Sequence, residues 1–187
     1  MPTETPSAAN AAVLFLDLQD GIVKNSATND KKAIARSAGV LAKLCALHGI
    51  PAWLSSVPPG GAYLDDVTKP LGDPEPRPRT FTTAFADAGL VDALRASGRR
   101  VLILAGVASE IVVQRTALDA LAAGYTVYVA VDACGGISDR TETAAWQRIT
   151  QAGAALTSVT TFAAELAGDF TSEMGGKTLA VMYETMR

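Results

Sequence analysis

Asp17 closes the apolar run AAVLFL. A carboxylate at the end of a buried strand loses part of its hydration, which raises its pKa toward the range of a general acid or base. The same residue has a plainer use, bonding the backbone amides of the turn that follows. Gln19, two positions on, either orients a substrate or lines that loop. A second stretch, AGVASEIVVQ (Ala105–Gln114), runs from a strand-like segment into a helix. Turns of this shape commonly present a reactive side chain, yet the position best placed for a nucleophile holds Val112. In RTFTTAF, Arg79 keeps its charge at any working pH and can pair with Asp17 or a substrate anion. Its alternative reading is a solvated arginine in a proline-rich loop. Asp132 and Cys134 close a further apolar run, VAVDAC. Asp132 is expected to fix the 134–136 loop through backbone bonds, and Cys134 to be a packed thiol rather than a nucleophile.

The remaining chemistry is sparse. His48 is the single histidine, one residue before Gly49, where a helix stops. It is read as serving the free carbonyls of that last turn. One histidine excludes zinc sites built on paired histidines, and a Ser-His-Asp triad would have to use this residue. Cys45 falls on an apolar helical stripe and reads as a buried thiol. The pairs Gly60-Gly61, Gly135-Gly136 and Gly175-Gly176 form neither GxGxxG nor a phosphate loop, so no cofactor and no metal are expected.

Positioning these groups requires a sheet. AAVLFLDLQ, PAWLSSV, RRVLILAGV, YTVYVAVDA and AALTSVT read as strands, apolar enough to be covered on both faces. Helices are expected at 30–47, with Asn29 or Asp30 as cap, at 87–97, and from Ser109, as N-cap, through the following ALDALAAG. A further helix over DRTETAAWQRITQAG turns Ala145, Ile149 and Ala152 inward. Two short helices end the chain. The segment from Pro58 to Thr80 holds six of the nine prolines and is read as a long surface loop. Alternation of strand and helix means an α/β domain built on a parallel sheet. In such sheets ligands bind at the carboxyl ends of the strands, where strand order reverses. That rule selects Asp17 and Gln19, the Arg79–Phe85 stretch, the Val107–Val112 turn and Asp132–Cys134.

A chain of 187 residues suits one sizeable core: residues 1–10 are expected as a mobile tail and 11–187 as a single domain. The net charge of −3 with no Lys/Arg cluster argues against nucleic acid or an anionic membrane as partner. With no signal-like segment, no apolar run near 20 residues and two unpaired-looking cysteines, a cytoplasmic protein is expected.

LFLDLQDG, then RTFTTAF, then ASGRRVLILAGVASEIVV, then ALDALAAGYTVYVAVDACGG and AAWQRITQAGAALTS resemble, in order and spacing, the motifs of the isochorismatase-like cysteine hydrolases. That superfamily includes nicotinamidases and N-carbamoylsarcosine amidohydrolase. The resemblance is strongest to its branch of oligomeric bacterial hydrolases with unassigned substrates, and it spans about residues 11–166. It implies a three-layer α/β/α, Rossmann-like fold with strand order 3-2-1-4-5-6 and a homo-oligomer. It also implies an Asp, Lys and Cys site in which a thiolate attacks an amide-type carbon. The Asp maps to Asp17. The Cys position is Val112, and the Lys position falls on Arg79 or Phe81. A cis peptide is implied at Val107–Ala108, with backbone donors at Ala108 and Val112.

Two functions from different classes follow. One is a pseudoenzyme or binder that holds a small amide, carbamoyl or carboxylate ligand among Gln19, Phe81, Val107, Ala108 and Val112. The other is a hydrolase that works without a thiol, Asp17 protonating a vinyl ether while Arg79 binds a substrate carboxylate. A flavodoxin-like cofactor binder is the weakest alternative, since no phosphate loop is visible.

Overall fold

The computed structural model describes residues 4–186. Its strands are β1 (Ala11–Leu16), β2 (Ala52–Ser56), β3 (Arg77–Pro78), β4 (Val101–Val107), β5 (Thr126–Gly135) and β6 (Ala155–Thr157). They form one parallel sheet in the order β3-β2-β1-β4-β5-β6, so the order reverses between β1 and β4. Among the described residues eight α-helices accompany it: α1 (Asp20–Val23), α2 (Lys31–His48), α3 (Asp65–Thr68), α4 (Ala88–Ala96), α5 (Gln114–Ala122), α6 (Asp139–Gln151), α7 (Val159–Ala167) and α8 (Glu173–Met182). None is long and apolar enough to cross a membrane.

The period-2 geometry of the central strands builds the three layers. In β1, Ala11, Val13 and Phe15 enter one core, shared with α2 and α7, while Ala12, Leu14 and Leu16 enter another, shared with α4, α5 and α6. In β4, Ile103, Ala105 and Val107 join the first core, and Leu102 and Leu104 the second. Because both faces are covered, these strands read as continuous apolar runs rather than alternating ones. Each fully buried Leu, Ile or Phe contributes about 1.5–3 kcal/mol, which makes this centre the rigid frame of the molecule. Gly106 lies where β4 passes β1 closely: a Cβ there would sit 2.2 Å from the Leu16 carbonyl oxygen, so no side chain fits.

Helix ends follow the sequence. Asp30 accepts from the amides of Lys32 and Ala33, and Gly49, at φ 63°, terminates α2. Asp87 caps α4 through the Leu90 amide. Four readings change. Ser109 does not cap its helix: Ala108 holds the cap position, and the Ser109 hydroxyl donates to Glu142 Oε1 at 2.7 Å on α6. The helix instead starts as a π-helical turn, Ser109–Val113, before continuing as α5. Ala152 is exposed, at the C-cap position just past the end of α6. The 58–80 segment is not wholly irregular, since it carries α3 and the edge strand β3. Pro78 is tolerated in β3 because an edge strand can lack one amide donor.

Residues 4–10 lie against the amino-terminal edge of the sheet: Arg99 donates to the Ala8 carbonyl and Tyr128 to the Glu4 carbonyl. The first three residues of the expected tail fall outside the described residues.

Candidate functional site

Five strand ends and the turn after β4 enclose a cavity of about 390 Å³ at the point where strand order reverses. Asp17 enters it from the end of β1. Its backbone is left-handed, φ 54°, a conformation aspartate adopts more readily than most residues. The turn is held by the Asp17 amide on the Ser55 carbonyl, 2.9 Å, and by the Gln19 amide on the Asp17 carbonyl, 2.7 Å. Arg79 follows β3, and its amide donates to the Ser56 carbonyl, 2.9 Å.

The two side chains meet in a bidentate pair. Arg79 Nη1 and Nη2 donate to the two Asp17 carboxylate oxygens, each at 2.6 Å, and Nη1 also donates to Ser55 Oγ at 3.0 Å. Both side chains are buried, 7% and 3% exposed. Arg79 is therefore no solvated loop residue, because β3 carries it under the sheet edge rather than out to water. Burial raises the Asp17 carboxyl above its ordinary value, and the bonds and charge of Arg79 work against that rise. Arg79 Nε is buried with no hydrogen-bond partner, so the guanidinium is not fully satisfied. Tyr63 packs beside the pair, its hydroxyl on the Ser55 carbonyl at 3.4 Å, and burial followed by the Asp17 charge pushes its phenol well up.

On the opposite wall stand Val107, Ala108, Ile111 and Val112. The Val107–Ala108 peptide is cis, as the resemblance implied. The Ala108 carbonyl accepts from the amides of Ile111 and Val113, 3.1 and 3.4 Å, which closes the turn. Val112 is buried and also belongs to the α4–α6 core, so its methyl groups fill the space beneath the turn. Glu110, alongside, accepts from the Ile137 amide and the Thr141 hydroxyl. That couples the turn to the start of α6.

Asp17, Arg79, Phe81, Val107, Ala108 and Val112 thus share one cavity, Phe81 at its mouth and 64% exposed. Gln19 does not reach it. Its carboxamide donates to the carbonyls of Val57 and Gly61 and accepts from the Val57 amide, which pins the loop after β2 to β1. Asp132 also lies elsewhere: its carboxylate accepts from the Val159 amide at the start of α7 rather than holding the 134–136 loop. Asn29 does that work, bonding the carbonyls of Asp132 and Cys134. Cys134 and Cys45 are fully buried thiols whose pKa burial pushes up, so neither is activated. His48 sits in the last turn of α2 and pairs through Nε2 with Thr178 Oγ1 at 2.8 Å on α8. Among the described residues no group of three or more His, Cys, Asp or Glu gathers as a metal site.

Sequence reasoning selected the Arg79–Phe85 stretch, which supplies Thr80 and Thr82, and missed Ser55, Tyr63 and the cavity residues Ile22, Asn25, Val57, Gly136 and Ile137. Ser55 carried a usable signal, a polar residue at the carboxyl end of an apolar strand. Ile22 and Asn25 carried none, because a four-residue helix has no periodicity to read. A larger cavity of about 600 Å³ lies between α2 and α3, away from every strand end, where Lys43 pairs with Glu184 and Lys69 with Asp65.

The isochorismatase domain model matches residues 11–161. The probable hydrolase YcaC of Escherichia coli K12 is 32% identical over 179 residues, covering 93% of this chain and 85% of its own. The crystal structure of the Escherichia coli YcaC product, described as an octameric hydrolase of unknown specificity, superposes with a TM-score of 0.90 at 28% identity, over 99% of this chain and 92% of that one. YcaC from Pseudomonas aeruginosa, solved with hexane-2,5-diol and covalent acrylamide, gives 0.89 at 26% identity over 97% and 93%.

Proposed function

This chain belongs to the isochorismatase family, and we propose that it is a member without thiol chemistry: a pseudoenzyme that binds a small molecule in the cavity between Asp17 and Val112. The observation that carries this reading is the pairing across that cavity of a valine with a carboxylate whose two oxygens are both taken by Arg79. In the hydrolases that the sequence resembles, an Asp removes a proton from a Cys while a Lys balances charge. On this reading Val112 stands at the Cys position, and Arg79 takes the Lys position in preference to Phe81 because Arg79 is the one that pairs with Asp17. Valine has no proton to give and no lone pair to attack with. Arginine holds its partner in a fixed fork and does not titrate. The backbone amides of Ala108 and Val112 are then donors for a ligand oxygen rather than for a tetrahedral intermediate. The oligomer of the related YcaC supports a homo-oligomeric assembly, and two buried free cysteines fit a reducing cytoplasm.

Acrylamide tests this reading, since the related Pseudomonas protein holds it covalently. Under native conditions wild type takes up no acrylamide by intact mass, Cys45 and Cys134 being buried. Val112→Cys becomes labelled at position 112. Native labelling of wild type at Cys134 would overturn the assignment.

One observation favours the acid-catalysis alternative: burial raises the Asp17 carboxyl, as a general acid requires. In that case wild type hydrolyses a vinyl ether, and Asp17→Asn abolishes the turnover. The bidentate hold of Arg79 argues against it, because a proton on either Asp17 oxygen breaks one of two 2.6 Å bonds.

A further inference from the structure

Three large apolar residues, Phe81, Ile111 and Ile137, frame the mouth of the cavity, 64%, 46% and 56% exposed. Ile111 belongs to the π-helical turn after β4, and Ile137 to the short connection between β5 and α6. Glu110, which is not part of the cavity wall, joins these two segments. Its Oε1 accepts from the Ile137 amide at 2.8 Å and from the Thr141 hydroxyl at 2.6 Å. Burial works against that carboxylate, but the Thr141 hydroxyl and nearby backbone amides outweigh it and hold Glu110 below its ordinary value. Glu110 is thus ionised at neutral pH, and its bonds are of the stronger, charge-assisted kind. Its other oxygen, Oε2, is buried with no hydrogen-bond partner. An acceptor left unsatisfied in this way costs stability, so what the residue supplies is position.

The two segments are also anchored separately. The Ser109 hydroxyl donates to Glu142 Oε1 at 2.7 Å, which ties the turn to α6 without Glu110. The Gly136 amide donates to Thr28 Oγ1 at 2.7 Å, and its carbonyl accepts from the Ala27 amide at 2.8 Å. Removing the Glu110 carboxylate therefore leaves the turn that carries Val112, and Gly136, in place. What it releases is Ile137, at the edge of the opening.

We propose that Glu110 is a positioning residue that sets the width of the cavity mouth and thereby its selectivity by size. By holding Ile137 to the turn that carries Ile111, it admits slender molecules and turns away bulky ones. The inference rests on the reading that this cavity is the binding site. Glu110 acts through Ile137 and does not itself touch what enters.

A thiol placed at the cavity wall by Val112→Cys reads the opening. Its labelling by acrylamide and by N-tert-butylacrylamide, which share a reacting group and differ in bulk, is followed by intact mass. The rates are compared in that background and with Glu110→Ala or Glu110→Gln added. In Glu110→Ala the bulky reagent should gain about tenfold relative to acrylamide, the scale of one charge-assisted hydrogen bond released. Glu110→Gln keeps an acceptor oxygen and should restore the parent ratio. Hydrogen exchange of the Ile137 amide should quicken in Glu110→Ala, while that of Gly136, held by Thr28, should not. Thr141→Val removes only the second donor and should shift the ratio the same way by less, which keeps the test open if Glu110→Ala does not fold. Equal acceleration of both reagents, or an unchanged ratio in Glu110→Ala and Thr141→Val, would overturn the proposal. Failure of the underlying reading looks different: a Val112→Cys parent inert to acrylamide would mean that the cavity does not admit small molecules at all.

Discussion

Arg77 and Arg79 stand two residues apart at one edge of the sheet, and each pairs with an aspartate. Arg77 donates to Asp87 at 2.7 Å through Nε, with side chains 37% and 21% exposed. Arg79 grips Asp17 at 2.6 Å through both terminal nitrogens, with 3% and 7% exposed. Residue types and distances are nearly the same, and the surroundings differ. Water screens the first pair, so its bonds outweigh a small desolvation cost and hold the Asp87 carboxyl below its ordinary value. The second pair has lost its water, so desolvation dominates and the Asp17 carboxyl rises. The outer pair ties β3 to the start of α4. The inner pair is the polar end of a cavity.

Breaking each pair should expose that difference. Arg79→Met leaves Asp17 buried without a partner and is expected to cost about 3–5 kcal/mol in urea unfolding. Arg79→Met with Asp17→Leu should recover much of that, because both charges then leave the interior. Arg77→Met should cost below about 1 kcal/mol, the usual worth of an exposed pair. Equal losses at the two sites would mean that burial does not separate them.

The two aspartates should also impose pH slopes of opposite sign. Asp87 is depressed, so its stabilisation is present above the ordinary value of 3.8 and is lost as pH falls through its lowered folded value. Asp17 is raised, so its favourable contribution is present below 3.8 and is lost as pH climbs through its raised folded value. Stability of wild type relative to Asp87→Asn should therefore fall on acidification, and relative to Asp17→Asn should fall on alkalinisation.

Much of this was legible in the sequence because it depends on local pattern. Unbroken apolar runs identified β1 and β4, the strand-end rule singled out Asp17 and the 107–112 turn, and Asp30 with Gly49 marked both ends of α2. What escaped depends on contacts distant in sequence. Gln19 shares a strand end with Asp17, yet its amide is drawn to Val57 and Gly61, some forty residues away. Ser109 has the right type for a cap, but Glu142 on α6 competes for its hydroxyl. Asp132 ends inside a ten-residue β5 whose register slips opposite Ala105, and that slip turns it toward α7. No local periodicity encodes any of these partners.

The smallest expected effect lies at His48. Burial lowers its pKa, so its contribution is present in full above 6.5 and is lost as pH falls below that and through the lowered value. His48→Gln, which keeps a donor toward Thr178, should flatten the stability curve in that range. An unchanged slope would assign it to another group.

On the proposed reading, this cavity keeps the family's shape, with Val112 at the nucleophile position and Arg79 in place of a lysine. The direct measurement is turnover of a small neutral amide by wild type, Val112→Cys, and Val112→Cys with Arg79→Lys. Expected are no turnover by wild type, thiol labelling with little turnover in the single variant, and hydrolysis above background only in the double variant. Wild-type hydrolysis that disappears in Asp17→Asn would contradict it.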